Sequence, residues 1–470
     1  MTNSQFDFLF VGNNLTVLVA ALELAQKGKK VCLINPLQSW GGHFSSIDLN
    51  GLKFDQGSVS HELTAYNNTN INDPAQYNPA NRNDWGKFTS LIDQYTRNHL
   101  SLFHIETPQT VFEGRFYRDI IMSNHLDVLH HPSLSHNITD DLIRIKDEQP
   151  EYAHARNKNL SSFFQSSSYG HLSELNHGAT LHRQLFDSFF KKLTGLPSDS
   201  LIAKYHRVAW LPFYYPETLL SQLTDNPQQL PATHFYYPRK GYIGVLGETL
   251  VEKLVHLKVS LFRDAIDRVG EQIGGATVRL SSGHIIYGQQ LIWSLSHRQL
   301  ITASGEPIQT NFQSAALILV FLTIPASRLN KSFSILFVPD PSVIFYRVTN
   351  QSRCAGLEES EERIVVELNA DWLKSQALTD RHSIIIRLQQ DFVSLGIVDS
   401  VHDIQVRGIK FLSQGLMLPT PENYDLLEKE KEVLTEHYPA VHFTKNVDAF
   451  FADTLNDQIM KGLKIAALAE

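Results

Sequence analysis

FDFLFVGNNLTVLVAALELAQKGKKVCLINPLQSWGGHFSS, residues 6–46, is the stretch that decides the fold. Phe6 to Val11 is a short apolar run and reads as a buried parallel strand. Gly12 to Thr16 is a turn. Val17 to Lys27 places Leu18, Ala21, Leu22 and Ala25 on one helical face, and Gly28 suits the C-cap. Val31 to Ile34 is a second buried strand. Strand, tight turn, helix and strand make one βαβ unit, whose crossover is right-handed.

A unit of this kind commonly seats the pyrophosphate of a dinucleotide. The free N–H groups and partial positive charge of the helix N-terminus face the phosphates. The three glycine positions of the usual fingerprint fall here on Gly12, Asn14 and Val17. Gly12 can make the turn. Asn14 puts a side chain where bare backbone would meet phosphate, although Asn tolerates the left-handed region. Val17 crowds the helix against the strand. The acidic residue expected for the ribose hydroxyls is Asn35, a neutral and weaker acceptor. No arginine stands nearby to suggest a 2′-phosphate.

The chain has 470 residues, 42% hydrophobic and 19% charged, enough for two domains. Its net charge of −8 offers no general attraction to nucleic acid or to an anionic membrane. Cys32 lies in a predicted buried strand and Cys354 far from it, so neither a disulfide framework nor a Cys-based metal site is expected. The start, MTNSQFDFLF, lacks the basic and apolar regions of a signal peptide, and no apolar stretch reaches spanning length. The expectation is a cytoplasmic protein with a small-molecule substrate. His104, His125, His130, His131 and His136 share one segment, but without the tight regular spacing of a zinc site; no metal is expected.

Further along, Gly41-Gly42 lets backbone pass close to a ligand. Leu52 to Asp55 is a short strand between Gly turns, and residues 64–85 form an Asn/Pro-rich loop. Helices are expected over 160–172 and 181–194, the second ended by Gly195 and Pro197. Phe235 to Pro238 is a strand entering a Gly turn, and Val245 to Leu257 is a helix. Short strands follow at Val259–Phe262 and Asp264–Val269. Thr277–Leu280 and His284–Tyr287 flank a hairpin turn, and Leu291–Leu295 is a separate buried strand. Apolar runs between 315 and 370 predict a mainly antiparallel sheet. His382 to Gly396 is an amphipathic helix, and the tail is strand, turn and helix.

The ordered set resembles the FAD-binding amine oxidase superfamily, which includes protoporphyrinogen oxidase, phytoene desaturase and UDP-galactopyranose mutase. The matching pieces are the βαβ unit, Gly41-Gly42 and Phe54-Asp55-Gln56-Gly57. Tyr237-Pro238-Arg239-Lys240-Gly241, the Ser281-Ser282-Gly283 hairpin and Asp453 with the helix behind it complete the set. The resemblance covers nearly the whole chain. It implies a Rossmann-like FAD-binding domain of the amine-oxidase type, α/β in class, with a second α+β substrate domain. The boundaries expected are 1–63, 232–300 and 430–470 for the first, and 64–231 and 301–429 for the second. It also implies FAD held by Gly12, Asn14, Asn35, Gly41, Gly42 and Asp453, with an adenine contact from the strand Val259–Phe262. Departures are Asn14, Val17, Asn35, His43 in place of Arg, and Ala452 before Asp453.

The resemblance leaves the catalytic residues unassigned, since flavin enzymes put the hard step on the cofactor. Substrate-side candidates are Arg347 in FYRVTN, Arg207 in KYHRVAW and Tyr242 beside the Gly turn. An arginine suits a carboxylate or phosphate through its planar fork. Arg347 reads equally as an interdomain salt bridge, and Tyr242 as core packing. Three functions remain open. The first is an FAD-dependent oxidoreductase acting on a small organic substrate. The second is a flavin-free or weakly flavin-binding, partner-binding homologue. The third is a non-redox flavoenzyme of the nucleotide-sugar mutase type, clamping its anion with Arg207 and Arg347.

Overall fold

The computed structural model describes residues 4–37, 39–57, 60–63, 71–78, 84–148, 167–224, 227, 230, 233–272, 274–304, 312–439, 441–444 and 453–469. The expected loop at 64–85 and helix at 160–172 fall largely outside them, as does Ala452.

The first sheet is built from strands far apart in sequence. They are β1 (Ser4–Val11), β2 (Val31–Ile34), β3 (Ser260–Phe262), β4 (Ile266–Gln272), β5 (Gly275–Leu280), β6 (Ile285–Trp293) and β7 (Val441–Phe443). Their order is β3-β2-β1-β6-β5-β4, with β7 beside the far end of β6. The pairs among β3, β2, β1, β6 and β7 are parallel; β6-β5-β4 is an antiparallel extension. Phe8 to Val11 and Val31 to Ile34 are all buried, as parallel strands covered on both faces must be. The hairpin strand and the buried strand expected separately at 284–295 are one strand, β6. Gly288 explains the continuity. A Cβ there would lie 2.5 Å from Leu9 Cβ, so only glycine lets β1 lie alongside at that point.

Helix α1 (Leu15–Gln26) follows β1 and is buried along most of its length. Helix α2 (Leu455–Leu468) lies against it. They cross at Gly462, where a Cβ would stand 2.6 Å from Val19 Cβ and 2.8 Å from Thr16 O.

The second sheet runs in the order 405–417, 314–325, 361–369, 347–350, 335–337, 109–112, 115–118. Every pair is antiparallel except 335–337 with 109–112. Alternation sorts its side chains onto two faces. Val320, Leu322, Ile364 and Val366 pack with Leu388 and Phe392 of the helix Arg381–Ser394. Leu319, Phe321 and Val365 point the other way, onto Phe54 of the hairpin Ser46–Asp55. That hairpin carries the early segment across to the second sheet.

Candidate functional site

Gly12 adopts φ +131°, and a Cβ there would fall 1.9 Å from Ser294 Oγ. Glycine is therefore required by the crossing beside β6. Asn14 is extended, not left-handed, at φ −75° and ψ 169°. It is the N-cap of α1, and its Oδ1 accepts the Val17 N–H at 3.1 Å. The Leu15 N–H donates to Gln458 Oε1 at 2.9 Å. Gly41 and Gly42 are left-handed, at φ +102° and +62°. The Gly41 N–H donates to Asn13 O at 2.7 Å, and a Cβ on Gly42 would sit 3.2 Å from Asn14 Cβ. The paired glycines thus serve a close contact between two loops. Val17 is fully buried in the core.

Asn35 is fully buried. Its Nδ2 donates to Ser39 O at 3.0 Å and its Oδ1 accepts the Leu37 N–H at 2.8 Å, closing its own loop. Asp453 accepts from Gln458 Nε2 at 2.8 Å and pairs with Lys461 at 3.1 Å. Burial pushes its carboxyl up, but Lys461, His43 and these hydrogen bonds outweigh that and hold it at about 2. The start of α2 is closed as well. Thr454 Oγ1 accepts the Asp457 N–H at 3.1 Å, and Asp457 Oδ2 accepts the Thr454 N–H at 3.2 Å, a capping box.

FAD needs a pyrophosphate seat on open N–H groups. At α1 two of those groups are satisfied by Asn14 and Gln458, and an ionised Asp453 stands on the same Gln458. As arranged, these residues do not fit the cofactor.

The substrate-side candidates separate. Arg347 and Glu367 form a bidentate pair at 2.8 and 2.7 Å, both buried. The Arg347 guanidinium lies 4.0 Å from the Trp210 ring centroid. Tyr346 Oη donates to Glu367 at 3.0 Å, and a Cβ on Gly57 would be 3.3 Å from Glu367 Oε2. Arg347 is therefore a closed salt bridge rather than an open fork. Burial lowers its pKa, but the Glu367 carboxylate outweighs this and raises it. Arg207 contacts the backbone of the same tryptophan: its Nη1 donates to Trp210 O and Ile121 O, both at 3.1 Å. Arg207 is half-buried, and no carboxylate pairs with it among the described residues. Trp210 has φ +56°, a strained value for a bulky residue. Tyr242 lies elsewhere, with its hydroxyl on Glu248 at 2.7 Å and Lys53 over its ring, in a solvent-facing cluster.

Sequence reasoning missed the hub that joins the two quoted motifs. Asp55 accepts hydrogen bonds from Tyr237 Oη, from the Ile243 N–H at 2.9 Å and from Ser46 Oγ at 2.8 Å. Burial pushes its carboxyl up to about 6, against those hydrogen bonds. Gln351 and Arg363, from the second sheet's side, both donate to Lys53 O and Gly241 O. The signal was present in the two motifs, but Gln351 and Arg363 lie some 300 residues beyond the first and 110 to 122 beyond the second.

The fold as a whole is similar to that of several solved structures. A reduced UDP-galactopyranose mutase structure matches at TM-score 0.71 and 14% identity over 98% of this chain and 93% of that one. A structure described as a protoporphyrinogen oxidase from Exiguobacterium sp. 255-15 matches at TM-score 0.68 and 12% identity, covering 100% and 99%. Putrescine oxidase bound to putrescine matches at TM-score 0.61 and 12% identity, covering 99% of each chain. No protein-family model and no curated protein matches the sequence. At these identities the likeness establishes the fold. Among the described residues, no helix is long and apolar enough to cross a membrane.

Proposed function

We propose that this chain binds an anionic small molecule beside Arg207 and Trp210, on a scaffold shared with flavoenzymes. The observation that carries the reading is the Arg207 guanidinium, half-buried and without an ion-pair partner among the described residues. A partly desolvated cation of that kind favours an incoming carboxylate or phosphate. Trp210 supplies an aromatic side chain that is held by the Arg347 guanidinium over its ring. The same reading takes 1–63, 232–300 and 430–470 as one unit and 64–231 and 301–429 as the other. Strands of the first sheet drawn from 4–34, 260–293 and 441–443 support that division.

A second reading, an FAD-dependent oxidoreductase or mutase, is favoured by the whole-chain likeness to the neighbours. It requires a flavin that the cradle, as arranged, does not accommodate. The test for the first reading is titration of the purified protein with UDP, with citrate and with putrescine, followed by tryptophan fluorescence. Saturable quenching by an anion, lost in Arg207→Met and insensitive to putrescine, is expected. An anion response that survives Arg207→Met refutes the assignment.

A further inference from the structure

Two helix N-termini meet where this fold would present N–H groups to a cofactor, and both are closed from within. At α1, Asn14 Oδ1 and Gln458 Oε1 sit on the Val17 and Leu15 N–H groups. At α2, Thr454 and Asp457 cap each other. The contact between Leu15 and Gln458 is buried, and Gln458 is fully inaccessible to solvent.

We infer that Gln458 and Asn14 stand in for the phosphate oxygens of a cofactor, so that this chain folds and persists as a cofactor-free protein. The chemistry of the exchange is direct. A phosphate at a helix N-terminus supplies acceptor oxygens to unpaired N–H groups. An Asn cap and an amide oxygen carried on the facing helix supply the same acceptors without bringing charge. The second amide hydrogen-bonding group is also used, because Gln458 Nε2 donates to Asp453. Gln458 is thereby held between a donor and an acceptor and has a single satisfied orientation. The neighbouring electrostatics point the same way. The Asp453 carboxyl is held low, and the lysine beside it, Lys461, is already paired with it. A second anion placed at Leu15 would meet that carboxylate's charge. The Gly41–Asn13 hydrogen bond and the close approach of Gly42 to Asn14 bring the two loops together over the same spot.

This inference concerns the α1–α2 junction and does not depend on Arg207. It predicts a colourless purified protein. In an Arg207→Met background, which removes the proposed anion site, its melting temperature does not move with millimolar FAD, ADP or inorganic pyrophosphate. The variant Asn14→Gly with Gln458→Ala frees both N–H groups. It is expected to melt lower when alone, and to regain stability with ADP or FAD, since a ligand that binds only the folded state raises the melting temperature. Affinity for ADP should rise at least about tenfold, because hydrogen bonds to charged groups are the strong class. Gln458→Ala alone, which keeps the Asn14 cap and is milder, should show a smaller gain of the same sign. Wild-type protein that purifies with stoichiometric FAD overturns the inference. So does a variant that folds by circular dichroism yet gains no ADP or FAD response, because the closure would then not lie in these two side chains.

Discussion

Replacing Arg347 with Met removes the bidentate partner of a carboxylate that has almost no solvent. Arg347 and Glu367 side chains are 4% and 3% exposed, with contacts of 2.8 and 2.7 Å. Truncating one member of such a pair leaves an uncompensated buried charge and typically costs about 3–5 kcal/mol. Loss of the cation over Trp210 adds up to about 2 kcal/mol. At ~2.1 cal/mol/K per residue, 470 residues give an unfolding entropy of about 1 kcal/mol/K. A loss of ~4 kcal/mol therefore lowers the melting temperature by ~4 °C. An arginine open to a cleft would have cost little, because exposed pairs are weak. Burial reverses the sign of that argument. The assay is urea unfolding and calorimetry of Arg347→Met, Glu367→Gln and the double variant. The double variant should be far more stable than the summed losses predict, with coupling of ~2 kcal/mol or more. Additive losses, or an unchanged melting temperature in Arg347→Met, would refute the closed pair.

Asp55 should give the protein an unusual pH slope. Its carboxyl is raised from 3.8 to about 6 by burial. Between those values the folded state holds a proton that the unfolded state has released. Stability from this group is therefore full below about pH 4, falls as pH rises to about 6, and is flat above. At ~1.4 kcal/mol per unit the drop is about 3 kcal/mol. Denaturation at pH 4, 5, 6 and 7 should show Asp55→Asn losing that slope; parallel profiles for the two proteins would be fatal to the reasoning. Gly462→Ala should lower the unfolding free energy by ~1–2 kcal/mol, seen as a lower urea midpoint, despite the better helix propensity of Ala, because its Cβ would meet Val19 and the Thr16 carbonyl. A higher midpoint would mean that α1 and α2 are less closely packed.

Much of the architecture was legible because periodicity records burial. The run Phe6–Val11, the face Leu18, Ala21, Leu22 and Ala25, and the apolar strands of 315–370 all state which side faces the core. The strand 405–417 and the helix Pro421–His437 were not read. The strand's alternating exposure is weak, and Phe411 is 60% exposed, so no face stands out. The candidate site was legible by position and not by role. Asn14 looked like a damaged glycine; whether an Asn disrupts a turn or caps a helix depends on which N–H its oxygen reaches. Nothing local to residues 12–17 shows that Gln458 will supply the neighbouring acceptor. Arg347 shows the same limit, since the charge is visible and its pairing with Glu367 across the sheet is not.

The bond from Leu15 to Gln458 spans 443 positions. During synthesis at ~5–20 residues per second, roughly 20–90 s separate the two ends. Throughout that time α1 exists without the helix that covers it at Gly462 and caps its first turn. β6, which pairs with β1, and β7, which pairs with β6, also arrive late. The nascent N-terminal segment therefore emerges as an apolar helix and an unpaired strand edge, the kind of surface that chaperones retain and aggregates recruit. Its maturation waits for the helix at 455–468, and any stalled or truncated product lacking those residues should be insoluble.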